Sequence, residues 1–323
     1  MINTNGVQQY YQAIRDRLKN YIKSDYLANS ETLLLYVDDL LGEACSEHTN
    51  IAREPYIETS ASYKKVKDGI KNSACIEQSL KESLLKLVRK NLGIFSDPFE
   101  HQVNALEHFS FGRDLFVSTG TGSGKTECFL WPIIYKGFDE AKNRPDLFKM
   151  EAVRTLIIYP MNALVSDQLA RFRKTIGNDE FRAIFTKDTH ATRIPHFGMY
   201  TGRTPYAGEA KLASSRKLAN TFRKDYLIDE TADEQTQQQQ SNNIKGLKSI
   251  NKYPARFGED GLQVFIENLK NNLHKPMPYD AEYITRFEMQ ECPPDILITN
   301  YSMLEYMLMR QREAIFLFCP ICW

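Results

Sequence analysis

Apolar residues recur every four positions at Ile76, Leu80, Leu84, Val88 and Leu92, which places them on one face of a helix. Leu33, Leu34, Val37, Leu40 and Leu41 repeat the pattern, with Ser30 standing where an N-cap belongs. No cluster able to carry chemistry accompanies them, so residues 1–92 read as a helical accessory domain. From about residue 93 the period changes. Short apolar runs suited to strands appear as DLFVS (114–118), RTLIIYP (154–160), HFGMY (196–200) and DILITN (295–300), and helical stretches alternate with the first of them. That alternation predicts an α/β fold around a parallel sheet over 93–323. Between about 205 and 290 the periodicity weakens. The stretch TADEQTQQQQSNN (231–243) buries too little apolar area to offset its ordering entropy, so it predicts a mobile polar surface insertion.

Length and charge narrow the classes. The 323 residues suffice for about two domains. Lys and Arg total 41 against 41 Asp and Glu, which excludes a chain that holds nucleic acid by bulk charge and leaves open a local basic groove. Hydrophobic residues make up 42% and charged residues 25%, so a proper core is expected. No apolar run reaches the ~18 residues of a membrane helix, and the start MINTNGVQQYYQAIRDRL has no signal-peptide pattern. Six scattered cysteines make no disulfide framework. The expectation is a cytoplasmic protein with no membrane partner.

The strongest local signal is DLFVSTGTGSGKTE (114–127), an apolar run entering a glycine-rich turn, then Lys-Thr, then the helical CFLWPIIYKGF. Gly120, Gly122 and Gly124 permit a sharp turn with exposed amides, which together with the helix N-terminus cradle phosphates. Thr121 and Ser123 alternate with those glycines. Lys125 places an ammonium on the β/γ oxygens, and the Thr126 hydroxyl is the expected Mg²⁺ ligand. Thr119 stands where the general pattern has its first glycine. Pro132 inside the following helix costs up to ~3 kcal/mol unless it kinks harmlessly.

Five segments in order give the chain a resemblance to superfamily-two helicases of the DEAD/DEAH-box type. Within them it looks most like RecQ-related bacterial and archaeal helicases with DUF1998-type C-terminal regions, some of which occur in antiphage defence systems. PFEHQVNAL (98–106) resembles the glutamine motif; the resemblance implies that Gln102 reads the adenine edge and Phe99 stacks on the base. STGTGSGKTE resembles the first motif, through Glu127. YPMNALVSDQLARF (159–172), YTGRTPYAG (200–208) and PDILITNYSMLEYML (294–308) resemble motifs Ia, Ib and Ic. They imply strand contacts at Asn162, at Thr201, Gly202 and Arg203, and at Thr299 and Asn300. Met303, Leu304, Met307 and Leu308 read as helix core. The implied fold is a RecA-like domain. The implied activity is ATP-driven movement along single-stranded or partly duplex nucleic acid, DNA favoured, with Mg²⁺ and with other proteins of a defence system as partners.

The family's acidic strand, ending Asp-Glu-Ala-His, is not in the sequence, nor is the second sheet domain. YLIDE (226–230) imitates that strand but lies before the motif Ic segment and reads as a solvated helix end. The apolar AIFLFCPICW (314–323) reads as a sticky end, and CPIC supplies half a zinc site with Cys292 and His274 as poorly spaced candidates. A truncated or frame-shifted reading frame accounts for both features. Two competitors remain: a binding module that takes ATP or nucleic acid without hydrolysis, and an unrelated P-loop kinase.

Overall fold

A computed structural model of the protein describes residues 4–41, 62–206, 208–258, 260–310 and 313. It divides into two compact units between Ser62 and Tyr63. The first holds α1 (Thr4–Tyr26) and α2 (Glu31–Leu40). Ser30 caps α2 as its sequence predicts, its hydroxyl accepting from the Leu33 amide at 3.4 Å.

The second unit opens with α3 (Gly69–Asn72) and α4 (Gln78–Arg89). Leu80, Leu84 and Leu87 of α4 are buried in one cluster with Ile76, Leu92, Leu106, Trp131, Phe172 and Ile298. A domain boundary at 92/93 therefore cuts through a shared core: the apolar face of α4 has the sheet domain as its partner, so 63–92 belongs to that domain. Next come α5 (Glu100–Ser110), α6 (Glu127–Asn143, running through Pro132), α7 (Pro145–Lys149), β1 (Thr155–Tyr159), α8 (Asn162–Lys174), α9 (Asp179–Thr189) and β2 (Phe197–Tyr200). The chain continues through α10 (Leu212–Tyr226), α11 (Glu234–Ser249), α12 (Gly261–Lys270), β3 (Glu282–Tyr283), α13 (Arg286–Glu291), β4 (Ile296–Asn300) and α14 (Tyr301–Met309).

The described strands form one parallel sheet in the order β1-β4-β2-β3. Register pairs Tyr159 with Asn300 and Tyr200 with Thr299, so the carboxyl ends of β1, β4 and β2 lie side by side. At the opposite end, Asp295 locks the sheet. Its carboxylate accepts from Arg193 (2.6 and 2.8 Å), Arg154 (2.7 Å) and the His196 amide (2.8 Å), while its carbonyl accepts from the amides of Arg154 and Thr155. Glu140 of α6 takes the other side of Arg154 at 2.7 Å.

Two further expectations change. DLFVS (114–118) pairs with no described strand, and Phe116 is 96% exposed. A strand needs neighbouring N–H and C=O groups, and among the described residues this segment has no strand beside it. The described sheet ends at β1, whose Leu156 and Ile158 are exposed. The stretch 231–243, expected as a mobile loop, instead enters α11. No residue of that helix is buried. Its amides tie it locally: the Asp233 side chain caps the Thr236 amide, Gln237 donates to the carbonyls of Glu230 and Ala232, and Gln240 accepts from the Asp229 amide. The rest of the 205–290 segment has its own small core, in which Leu218 and Phe222 of α10 meet Leu262, Phe265, Ile266 and Leu269 of α12.

Among the helix-core expectations, Met303 and Met307 are buried and Leu308 is exposed. YLIDE closes α10 and enters a turn in which Asp229 accepts from Thr231. The CPIC pair and the 314–323 run lie outside the described residues. Burial pushes the Cys292 thiol up to about 12, so it stays protonated. Among the described residues no group of three His, Cys, Asp or Glu is placed to hold a metal.

Candidate nucleotide and nucleic-acid site

The glycine loop folds as its residues dictate. Gly122 and Gly124 have φ of +74° and +75°, the left-handed region where a side chain is strained. Lys125 donates from Nζ to the carbonyls of Thr119 (2.7 Å) and Gly120 (2.6 Å). An ammonium has three donors, so one remains for a ligand in the loop. The Ser123 side chain is buried and shares a 2.6 Å hydrogen bond with the Thr119 hydroxyl, which closes the loop's base. Thr121 and Gly122 stand exposed at its rim. The Thr126 hydroxyl makes no capping bond at the start of α6, which leaves it available at a helix N-terminus.

The glutamine-bearing turn grips this loop. His101 Nε2 donates to the Ser123 carbonyl (2.9 Å), and Gln102 Nε2 donates to the Gly124 carbonyl (3.0 Å). The Gln102 carbonyl oxygen accepts from the Phe99 amide at 3.0 Å. Gln102 is only 2% exposed. Both ends of the Gln102 amide are thus engaged within the protein, each by one hydrogen bond. Phe99 lies parallel to the His101 ring at 5.6 Å, with Tyr63 edge-on to both. The Tyr63 hydroxyl accepts from the Gly120 amide at 2.8 Å. The periodicity of 1–92 assigns Tyr63 to a separate domain, and no spacing marks it as part of this site.

Behind the loop, Glu127 is buried and accepts from Arg171 of α8 at 2.8 Å, while its second oxygen has no hydrogen-bond partner among the described residues. Burial, with Glu127 adding to it, pushes the Cys128 thiol up to about 11. The thiol therefore stays protonated, within 3.9 Å of the carbonyls of His101 and Gly124.

The second group lines the carboxyl edge of the sheet. Asn162 opens α8 just past β1, and Asn300 ends β4. Asn300 caps α14 through the Met303 amide (2.7 Å) and donates to the Asn162 side-chain carbonyl (2.5 Å). That pairing leaves the Asn162 NH₂ as a donor beside two helix N-termini, the setting in which phosphate oxygens bind. Gly202 and Arg203 are exposed on the turn after β2. Thr201 and Thr299 are fully buried. The Thr299 hydroxyl donates to the Tyr200 carbonyl (2.6 Å), and the Thr201 hydroxyl accepts from the Arg203 amide (3.1 Å). These two threonines shape the turn that their neighbours present. Arg286 of α13, which no sequence motif marks, holds the same turn through the Thr201 carbonyl at 2.7 Å.

The profile of the DEAD/DEAH box helicase family matches residues 99–258, which takes in the glutamine turn, the glycine loop, β1 and β2. The chain is 34% identical over 342 residues to Druantia protein DruE of Escherichia coli, covering 97% of this chain and 18% of that protein. It is 36% identical over 91 residues to the uncharacterized ATP-dependent helicase MJ1574 of Methanocaldococcus jannaschii, covering 28% of this chain and 12% of that protein. It is 37% identical over 103 residues to the probable ATP-dependent RNA helicase ddx27 of Dictyostelium discoideum, covering 30% and 12%. The chain thus spans less than a fifth of the length of each of these relatives. Loop, sheet order and homology agree: residues 99–258 are a DEAD/DEAH box helicase domain within an α/β, RecA-like fold, and the chain is homologous to helicases.

Proposed function

We propose that this chain is the ATP- and strand-binding N-terminal part of a nucleic-acid helicase or translocase, with DNA as its strand. The observation that supports it most directly is the Lys125 ammonium, fixed by two loop carbonyls with its third donor left over, at the head of α6. Lys125, the rim amides of Thr121 and Gly122, and the Thr126 hydroxyl suit a triphosphate with its Mg²⁺, the ion neutralising charge on the phosphates. Asn162, Asn300, Gly202 and Arg203 suit the backbone of the strand. The choice of DNA, the RecQ-related subtype and the defence partners rest on family resemblance alone.

The 323 residues contain no Asp-Glu-Ala-His strand, so the roles assigned within them are binding roles. The same binding groups suit, as a second reading, a module that binds ATP and nucleic acid without hydrolysis. Titration of a fluorescent ATP analogue tests the nucleotide site. Lys125→Ala should weaken binding at least tenfold and leave the nucleotide-free melting temperature unchanged, and retained affinity would refute the assignment. Strand-stimulated ATP hydrolysis by the 323-residue chain would exclude the second reading.

A further inference from the structure

Two exposed tyrosines accompany the polar groups at the carboxyl edge of the sheet. Tyr301 directly follows Asn300 and is 68% exposed; Tyr206 lies three residues past Arg203 and is 43% exposed. Tyr301 opens α14 after β4 and Tyr206 lies in the turn region after β2, and those two strands are hydrogen-bonded neighbours, about 4.8 Å apart. Each exposed aromatic therefore stands beside a group already assigned to the strand's backbone.

Tyr206 is also held in place. The Arg286 guanidinium lies 5.2 Å from the Tyr206 ring and 5.2 Å from the Tyr200 ring, and the Phe287 ring packs at 5.0 Å. Arg286 donates to the Thr201 carbonyl, and its backbone amide donates to the Pro205 carbonyl. Tyr200 and Phe287 are buried. The same arginine thus sets the shape of the Gly202–Arg203 turn and the position of the Tyr206 ring. A surface aromatic immobilised by a cation and a buried ring is pre-organised to receive a flat partner.

We infer that Tyr206 and Tyr301 are base-stacking platforms for the nucleic-acid strand, each receiving the face of one nucleobase while Gly202, Arg203, Asn162 and Asn300 hold its backbone. The inference rests on the strand-binding reading above. Stacking on an aromatic ring accepts any base, so these platforms add affinity without sequence preference.

The test measures binding of the full chain to two fluorescent probes by anisotropy at one fixed salt concentration. One probe is an oligothymidylate; the other is an abasic strand of the same length. Tyr206→Ala and Tyr301→Ala should each weaken oligothymidylate binding about tenfold. Neither should change abasic binding, and Tyr206→Trp should restore wild-type affinity. Equal losses on both probes would assign the tyrosines to backbone contact or to folding and overturn the inference. Unchanged oligothymidylate affinity would overturn it too. Wild-type protein that binds both probes equally keeps the strand site and removes the platforms. Wild-type protein that binds neither removes both.

Discussion

Replacing Gly124 with alanine should damage the nucleotide site more than the same change at Gly122, although both glycines share the left-handed conformation. At Gly122 an added Cβ meets nothing within 4 Å, so only the conformational cost applies, about 1–2 kcal/mol. At Gly124 it would lie 2.3 Å from Gln102 Nε2 and 3.0 Å from a Glu127 oxygen. The Gln102 amide must then move, giving up its bonds to the Gly124 carbonyl and the Phe99 amide. At ~0.5–1.5 kcal/mol each, these bring the total to about 2–5 kcal/mol. Denaturant melts of the two single variants, read beside nucleotide titrations, measure the difference. Adding Gln102→Ala removes the group that is struck, so the Gly124→Ala and Gln102→Ala effects should be non-additive by about 1–3 kcal/mol. Equal destabilisation at the two glycines, or strict additivity with Gln102→Ala, would refute the argument that the glutamine turn sits on the loop.

Groups away from the loop give two further outcomes. Arg193, His196 and Arg154 hold the buried Asp295 carboxyl below its usual range although burial alone would raise it, and burial lowers the His196 pKa. Both folded values lie below the unfolded ones, so this stability is complete above about pH 6.5. The His196 share is lost as pH falls from there, and the Asp295 share below about pH 4; a melting temperature flat from pH 5 to 7.5 would contradict the His196 share. Asp233→Ala removes the cap of a helix with no buried residue. It should increase proteolysis within 234–249 without moving the global melt, and a cooperative loss of the whole domain would show α11 to be structural.

The sequence displayed its chemistry more openly than its packing. Gly122 and Gly124 were legible as turn glycines because a left-handed backbone places local demands on residue type. Three strands were legible as apolar runs; β2 and β4 are covered on both faces, whereas β1 has Leu156 and Ile158 exposed. The strand-like 114–118 run failed for the complementary reason: a strand is made by its neighbours, which no local pattern supplies. Gln102 and Thr299 were singled out by resemblance alone, and the hydrogen-bond partners that their amide and hydroxyl take are decided by tertiary placement. In α12, Leu262, Phe265, Ile266 and Leu269 repeat at helical spacing and form one buried face. Tyr63 and Arg286 act through contacts 57 and 85 residues away in the chain, beyond the reach of spacing rules.

The outer side of β1 has a consequence for handling the polypeptide. Thr155–Tyr159 reads TLIIY, with no charge or proline, and its Leu156 and Ile158 side chains are exposed on the edge strand of the described sheet. Natural edge strands are usually blunted by lysine, proline or a bulge, because bare N–H and C=O groups recruit any strand that meets them. In the 323-residue polypeptide such a row is a template for self-association, driven by backbone pairing and reinforced by leucine and isoleucine. Self-association at this edge should then rise with concentration, which light scattering over a dilution series measures.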